Sequence, residues 1–350
     1  MKRPFLALAV FLTAASLHAQ SAEMARLKDY VSRTLPRCPG AAVAFDPVAA
    51  RGPAGFQAYR AVLTSADEHC SASKFLLYSP LTGQTLIGSV IAIPGGEQPV
   101  HVRLAEHTSK ILNAPITVQI APLALPDGLK QVLLIRRTEY GPFTYTTFLD
   151  SSERFLVVGL RGTIDEDPAH TLRKAIGVEA AARRGNGAAK IEIVEISDFQ
   201  CPTCARAHHT LEPLFASNLR KIRYSRIDLP LFDNHKWALP AALGSRAIQQ
   251  VAPAKYWDYV NHVFRNQEVL DESKFDRFFQ NWVEDNDLSW PAVAKVYRSE
   301  SEKKAVLDSV SRLFGAGISS TPTFIVNGQP LGFGNGAFAV DFLKKTLGVK

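Results

Sequence analysis

The chain has 350 residues, of which 46% are hydrophobic, and a formal net charge of +7. This length accommodates two domains of ordinary size, each with its own hydrophobic core. The charge is modest, and the basic residues lack the aromatic or recognition-helix pattern of a nucleic-acid-binding surface, so we expect no nucleic-acid partner.

The first twenty residues have the pattern of a secretory signal peptide. Lys2 and Arg3 precede an apolar run from Phe5 to about Leu17, and small residues follow. This run is short for a permanent membrane helix. We therefore expect residues 1–20 to be removed and the mature protein to be periplasmic or secreted, with an uncleaved anchor as the alternative.

Residues 21–165 are predicted to form a small α+β domain. A helix is predicted over residues 22–35, where apolar residues recur on one helical face. Strand-like runs separated by short turns follow, which favours antiparallel pairing. The predicted strands are 75–79, 85–93, 116–120, 131–137, 143–149 and 155–160, with a helix over 102–112.

An Ala- and Arg-rich stretch over residues 166–188 is predicted to be a linker helix that separates this domain from a second one. In the second domain, a strand is predicted over 190–196 and a helix from Pro202, with a kink expected at Pro213. Another strand is predicted over 222–229, and a long helical region follows. The chain then has a strand over 323–326, a hairpin turn at Asn327-Gly328 and a helix over 337–347.

Aromatic residues at helical spacing in the long helical region predict buried helix faces and not a cofactor site. These residues include Tyr256, Trp257, Phe264, Phe275, Phe278, Phe279 and Trp282. We expect no cofactor.

Four cysteines allow three disulfide pairings. In an exported protein disulfides persist. The two-residue spacing makes Cys201 and Cys204 a natural local pair, which leaves Cys38 with Cys70 as the expected structural disulfide. That bond would close a loop of about 30 residues and contribute on the order of 3 to 4 kcal/mol if unstrained.

Cys201 and Cys204 have three possible roles: metal ligands, a structural crosslink or a redox pair. A structural zinc site needs four ligands, and this domain has no second pair of cysteines, so we expect no metal. His208 and His209 are the nearest further candidates, and we expect both to be exposed on a helix flank. A disulfide between partners so close in sequence closes only a short loop and stabilises little, which favours redox turnover.

The redox interpretation follows from the position of Cys201 at a helix N-terminus. Unpaired backbone N–H groups and the helix dipole favour a thiolate there, so the pKa of Cys201 is expected to be depressed. Cys201 is then the nucleophile, and Cys204, one turn deeper, is the resolving thiol. Exchange would proceed through a mixed disulfide.

The order of these motifs resembles the thioredoxin fold: a strand, FQCPTC at 199–204, a kinked helix, and much later STPTF at 320–324 before a strand. A helical insertion is predicted over about 231–317. With this insertion, residues 189–350 resemble, more specifically, the DsbA-like thiol–disulfide oxidoreductases. The resemblance implies a cis Thr321–Pro322 bond facing the cysteines. It also implies that Glu195 is a buried acid that relays a proton, although an ordinary exposed strand residue is the alternative.

Two departures from the family pattern bear on the chemistry. Arg226 stands where the family has a lysine, which would hold Glu195 ionised more firmly. The dipeptide Pro202-Thr203 lacks the histidine of the best-known oxidant, which predicts a somewhat less oxidising protein.

The sequence therefore favours an oxidase that transfers disulfides to reduced or misfolded secreted proteins and is served by a membrane or soluble redox partner. A dimeric isomerase or reductase, with the N-terminal domain as dimerisation module, is the alternative. A chaperone or binding module without catalysis is a third possibility. The N-terminal domain has no recognisable relative, and docking of a partner is another use for it.

Overall fold

Two β-sheets organise the chain, an antiparallel sheet in the N-terminal half and a mixed sheet in the C-terminal half. The computed structural model describes residues 21–48, 55–66, 70–125, 128–332 and 337–349. The predicted signal peptide lies outside these ranges. Within them, no helix combines the length and the apolar character needed to cross a bilayer.

The N-terminal half contains eight strands in the order β1-β2-β3-β4-β8-β7-β6-β5, which confirms the predicted α+β class. Its first helix, α1, covers residues 21–34. The other elements are β1 (Ala42–Pro47), β2 (Gln57–Thr64), β3 (Ala72–Tyr78), β4 (Gln84–Ala92), α2 (Val100–Leu112), β5 (Ile116–Ala124), β6 (Lys130–Thr138), β7 (Gly141–Leu149) and β8 (Phe155–Thr163). Strands β1 and β2 are absent from the sequence-based prediction.

The linker helix predicted over 166–188 is wrong in its C-terminal half. Helix α3 (Pro168–Ile176) ends at Gly177, which has φ 71°, a left-handed conformation that favours glycine at a helix C-terminus. Residues Ala182–Gly185 form strand β9, which pairs antiparallel with β11 (Ile222–Asp228). The free edge of β11 offers backbone hydrogen bonds that override the helical propensity of this Ala- and Arg-rich segment.

The C-terminal half is a five-stranded sheet in the order β13-β12-β10-β11-β9. Strands β10 and β11 are parallel, and β12 runs antiparallel to β10. The elements besides β9 and β11 are β10 (Ile191–Ser197), α4 (Pro202–Ala216), α5 (Ala238–Val251), α6 (Tyr256–Arg265), α7 (Glu272–Asp285), α8 (Trp290–Tyr297), α9 (Glu300–Gly315), β12 (Thr323–Val326), β13 (Gln329–Pro330) and α10 (Ala337–Leu347). Helices α5 to α9 occupy the predicted insertion.

Alternating residues of β10 bury opposite faces of this sheet. Ile193 packs with residues of α4 and α10, whereas Val194 and Ile196 pack with residues of α3, α5 and α9. The aromatic residues of the insertion form a further core, and Phe275 and Phe279 in it are fully buried. This arrangement places the N-terminus of α4 between the sheet and the inserted helices.

The two halves of the chain share an apolar core. Phe143 and Leu160 of the first sheet belong to the same buried cluster as Leu313 and Ile318. In addition, Arg37 and Leu331 form a parallel bridge that joins the segment after α1 to the end of the β12-β13 hairpin. The N-terminal half is therefore packed against the C-terminal half in addition to being linked by the chain.

Candidate active site

Cys201 and Cys204 lie at the N-terminus of α4, and neither is disulfide-bonded in the structure. Cys201 is the N-cap residue with φ −71° and ψ 120°, and Pro202 follows as the first helical residue, a position where its missing N–H costs no hydrogen bond. Cys201 is 8% exposed and Cys204 is fully buried. Only Cys201 therefore presents its sulfur near the surface.

The two thiols have opposite electrostatic environments. A hydrogen bond from the Cys204 thiol, the backbone N–H groups of Cys204 and Thr203, and the Thr321 hydroxyl together lower the pKa of Cys201 to about 5, although burial opposes the shift. Burial and the neighbouring Cys201 charge raise the pKa of Cys204, although the Asp198 N–H lies 3.5 Å from its Sγ. One thiol is thus suited to ionise and the other to keep its proton.

The loop before β12 faces these cysteines. The Thr321–Pro322 peptide bond is cis. Cys201 Sγ lies 3.7 Å from the carbonyl oxygen of Thr321, although 120 residues separate them in sequence. Within the described part of the chain, the buried Thr321 hydroxyl makes no hydrogen bond of ordinary length, so it acts on the Cys201 thiolate from a longer distance. The structure thus brings Thr321 and Pro322 to the two thiols.

Glu195 is buried on β10, with 2% exposure, so it is not an ordinary exposed strand residue. It accepts hydrogen bonds from the Tyr224 hydroxyl and, at 3.1 Å, from Arg226. Arg226 is also buried, lies 2.9 Å from Asp228 and stacks over Phe199 at 4.4 Å. The hydrogen bonds of the Glu195 carboxylate thus tie it to the sheet and not to the cysteine thiols.

Asp198 and His235 form a polar pair beside the cysteines that sequence reasoning missed. Asp198 is buried at the end of β10, and its Oδ2 lies 2.7 Å from His235 Nδ1 and accepts a hydrogen bond from the Leu231 N–H. The hydrogen bond that His235 donates to Asp198, together with the negative charges of Asp198 and Cys201, raises the pKa of His235. The position of Asp198, three residues before Cys201, was an available signal, but nothing near His235 in sequence indicates this contact.

The two histidines of α4 have different environments, and the expectation that both are exposed is wrong for His208. Its Nε2 lies 2.8 Å from Asn261 Oδ1, and its ring stacks on Phe264 at 4.6 Å. Burial lowers the pKa of His208, so the neutral ring is favoured. His209 is exposed. Within the described ranges, no group of three or more His, Cys, Asp and Glu side chains is arranged to hold a metal ion.

Cys38 and Cys70 form a disulfide with a Cα–Cα distance of 5.7 Å. Both residues are buried in the core between α1 and strands β2 to β4. Gly332 packs against the two sulfur atoms, and its N–H donates to the Arg37 carbonyl. This disulfide therefore lies at the contact between the two halves of the chain.

A groove of about 640 Å³ borders the N-terminus of α4. Pro202 is among its lining residues, and Trp237, Phe264 and Leu270 contribute apolar surface. Arg265 is among the charged residues of this groove. A polypeptide that reaches Cys201 would meet both apolar and charged surface here.

Comparison with known proteins finds a family model that matches part of the C-terminal half. Residues 178–335 match the family model described as thioredoxin. Similar solved structures include the thiol-disulfide exchange protein alpha-DsbA2 from Wolbachia pipientis (18% identity, 52% of this chain and 92% of that chain, TM-score 0.44). Another is BdbD from Bacillus subtilis (17% identity, 49% of this chain and 95% of that chain, TM-score 0.41).

Curated relatives by sequence are described as Na(+)/H(+) antiporters. The NhaA 3 antiporter of Salinispora tropica is 27% identical over 146 residues, which are 42% of this chain and 21% of the antiporter. The NhaA 1 antiporter of Mycolicibacterium vanbaalenii is 26% identical over 152 residues, or 41% and 23% of the two chains. The chain thus spans less than a quarter of the length of these two relatives.

Proposed function

We propose that this protein, whose residues 178–335 match the thioredoxin family model, is an exported oxidase. It would transfer disulfides to folding proteins. The observation that carries the proposal is the pair of thiols at the N-terminus of α4. Cys201 has a lowered pKa and is near the surface, whereas Cys204 is buried and has a raised pKa. This asymmetry is what a nucleophilic and a resolving cysteine require.

In the proposed reaction the oxidised protein carries a Cys201–Cys204 disulfide. A substrate thiolate attacks Cys201 Sγ, a mixed disulfide forms, and Cys204 leaves as a thiolate that takes up a proton. A second substrate thiolate then attacks the substrate sulfur of the mixed disulfide, and Cys201 leaves as a thiolate. The two electrons of the substrate dithiol now reside on the two cysteines, and a redox partner with an oxidising disulfide or quinone must remove them.

The same pKa values support the proposed direction of transfer. An ionised Cys201 stabilises the reduced protein relative to its disulfide, and a disulfide whose reduced form is stabilised is a stronger oxidant. The lowered pKa of Cys201 therefore supports donation of disulfides. The Cys38–Cys70 disulfide supports export, because such bonds persist in oxidising compartments.

The test is disulfide transfer to reduced, unfolded ribonuclease A. We expect the oxidised protein to form ribonuclease disulfides, counted by mass after thiol blocking. Cys201→Ser should abolish the transfer, whereas Cys204→Ser should accumulate a mixed disulfide with Cys201 when its reduced form meets an oxidised substrate. A wild-type protein that leaves ribonuclease reduced would refute the proposal.

A second substrate and the molecular mass of the protein distinguish the oxidase from the isomerase alternative. We expect the reduced protein to be a monomer by light scattering and to reshuffle ribonuclease with scrambled disulfides poorly. A dimer that reshuffles scrambled ribonuclease efficiently would overturn the oxidase assignment in favour of an isomerase.

A further inference from the structure

We propose that His235, held by Asp198, is a positioning residue that keeps a positive charge beside the Cys201 thiolate and so increases the oxidising strength of the active site. The inference rests on the proposed function, because it concerns how the same two cysteines are tuned. It assigns this tuning to a loop residue outside the Cys-Pro-Thr-Cys segment.

The geometry ties the His235 loop directly to the active-site turn. Asp198 binds His235 through its carboxylate and accepts the Cys201 N–H through its carbonyl oxygen at 3.2 Å. A second hydrogen bond joins the same two segments: the Trp237 N–H, two residues after His235, donates to Oε1 of Gln200, two residues after Asp198, at 2.8 Å. The imidazole is therefore fixed relative to the segment that carries Cys201.

The charges that face His235 favour its protonated form. Asp198 contributes a fully buried carboxylate at hydrogen-bond distance, and the His235 side chain itself is 22% exposed. The charge of Cys201 acts on His235 in the same direction as that of Asp198, and burial opposes both. A thiolate that stabilises an imidazolium is stabilised by it to the same extent.

Neighbouring charges on the same loop are engaged elsewhere. Asp233 accepts two hydrogen bonds from Arg136 of the N-terminal sheet, both at 2.8 Å. Lys236 lies 3.5 Å from Glu139. Of Asp233, His235 and Lys236, it is His235 whose side chain contacts the carboxylate of Asp198, next to the active-site turn.

This arrangement offers a physical substitute for a histidine between the two cysteines. Thr203 occupies that position and provides a backbone N–H but no charge. An imidazolium outside the helix can act on the thiolate through space, and the effect of an opposite charge at close range is on the order of one pKa unit.

The first test uses reciprocity in the folded protein. The pKa of His235 is measured by NMR of its imidazole protons in the reduced protein and in the reduced Cys201→Ser variant, with the resonance assigned by its loss in His235→Gln. We expect the His235 pKa to be about one unit higher when the Cys201 thiolate is present. Equal His235 pKa values in the two proteins would overturn the proposal.

The second test measures the thiolate itself. His235→Gln retains a side chain that can donate to Asp198 but removes the charge, so a purely structural role would leave the Cys201 pKa unchanged. We expect ultraviolet thiolate titration to show a rise of about one unit, and His209→Gln to show none. At pH 7 this rise lowers the equilibrium constant for oxidation of glutathione about tenfold.

The outcomes separate this inference from the proposed function. The titrations need no substrate, so a protein that fails to oxidise ribonuclease but shows the shift would refute the oxidase and support the charge pairing. A working oxidase whose Cys201 pKa is the same in wild type and His235→Gln would refute the pairing alone. If His235→Gln fails to fold, His235→Asn replaces it in the assignment of the resonance, and the comparison of wild type with Cys201→Ser decides.

Discussion

Replacement of Arg226 by Met should destabilise the protein strongly, because the carboxylates of Glu195 and Asp228 share this one guanidinium. Arg226 is fully buried, 3.1 Å from Glu195 and 2.9 Å from Asp228. Methionine keeps much of the apolar stem but removes the charge. Breaking a buried ion pair from one side costs about 3 to 5 kcal/mol, because the remaining charge is left unpaired.

The assay is urea denaturation of the reduced protein followed by circular dichroism. The matched control is the double variant Glu195→Gln/Arg226→Met, which removes one of the stranded carboxylates and should recover part of the loss. A loss of less than about 1 kcal/mol for Arg226→Met would refute the reasoning, since it falls well below the cost of stranding one buried charge.

The pH dependence of this loss has a defined sign. Burial raises the pKa of Asp228 even with Arg226 in place, and removal of the guanidinium should raise it further. A carboxyl group whose folded-state pKa lies above its unfolded value destabilises the fold at pH above both values. The deficit of Arg226→Met should therefore shrink as the pH falls toward the unfolded-state pKa, near 4.

Two further predictions concern the contact between the halves of the chain. A Cβ at residue 332 would overlap Cys70 Sγ and lie 2.6 Å from Cys38 Sγ. Gly332→Ala should therefore lower the free energy of unfolding by about 1 to 3 kcal/mol. An unchanged midpoint in thermal or urea unfolding would contradict this packing. Replacing Cys38 and Cys70 together by Ser opens a loop with a sequence separation of 32 and should cost about 3 to 4 kcal/mol, whereas an unchanged free energy of unfolding would contradict a stabilising role for the disulfide.

Local sequence signals predict much of the C-terminal half. The Asn327-Gly328 turn has φ values of 48° and 77°, which suit these two residue types, and helix α10 has the predicted bounds. Pro291 lies in the first turn of helix α8, a position that proline favours. These elements were predictable because caps, turns and apolar periodicity depend on residues that are close in sequence.

Other features depend on partners that are distant in sequence. Strand β1 is mostly exposed at the edge of its sheet and has little apolar alternation, and β9 is extended because β11 offers it an edge. His235 reaches Asp198 across 37 residues. The charge network of Glu195 was anticipated only through the family resemblance, and its hydrogen bond with Tyr224 had no sequence signal.

The central claim is that Cys201 is ionised in the reduced protein at neutral pH. The most direct measurement is the ultraviolet absorbance of the thiolate as a function of pH, with Cys201→Ser as the blank. Because a group with a depressed pKa loses its charge only as the pH falls through that value, we predict full thiolate absorbance at pH 7 and a midpoint near pH 5. A midpoint near that of free cysteine, about 8.5, would contradict the account.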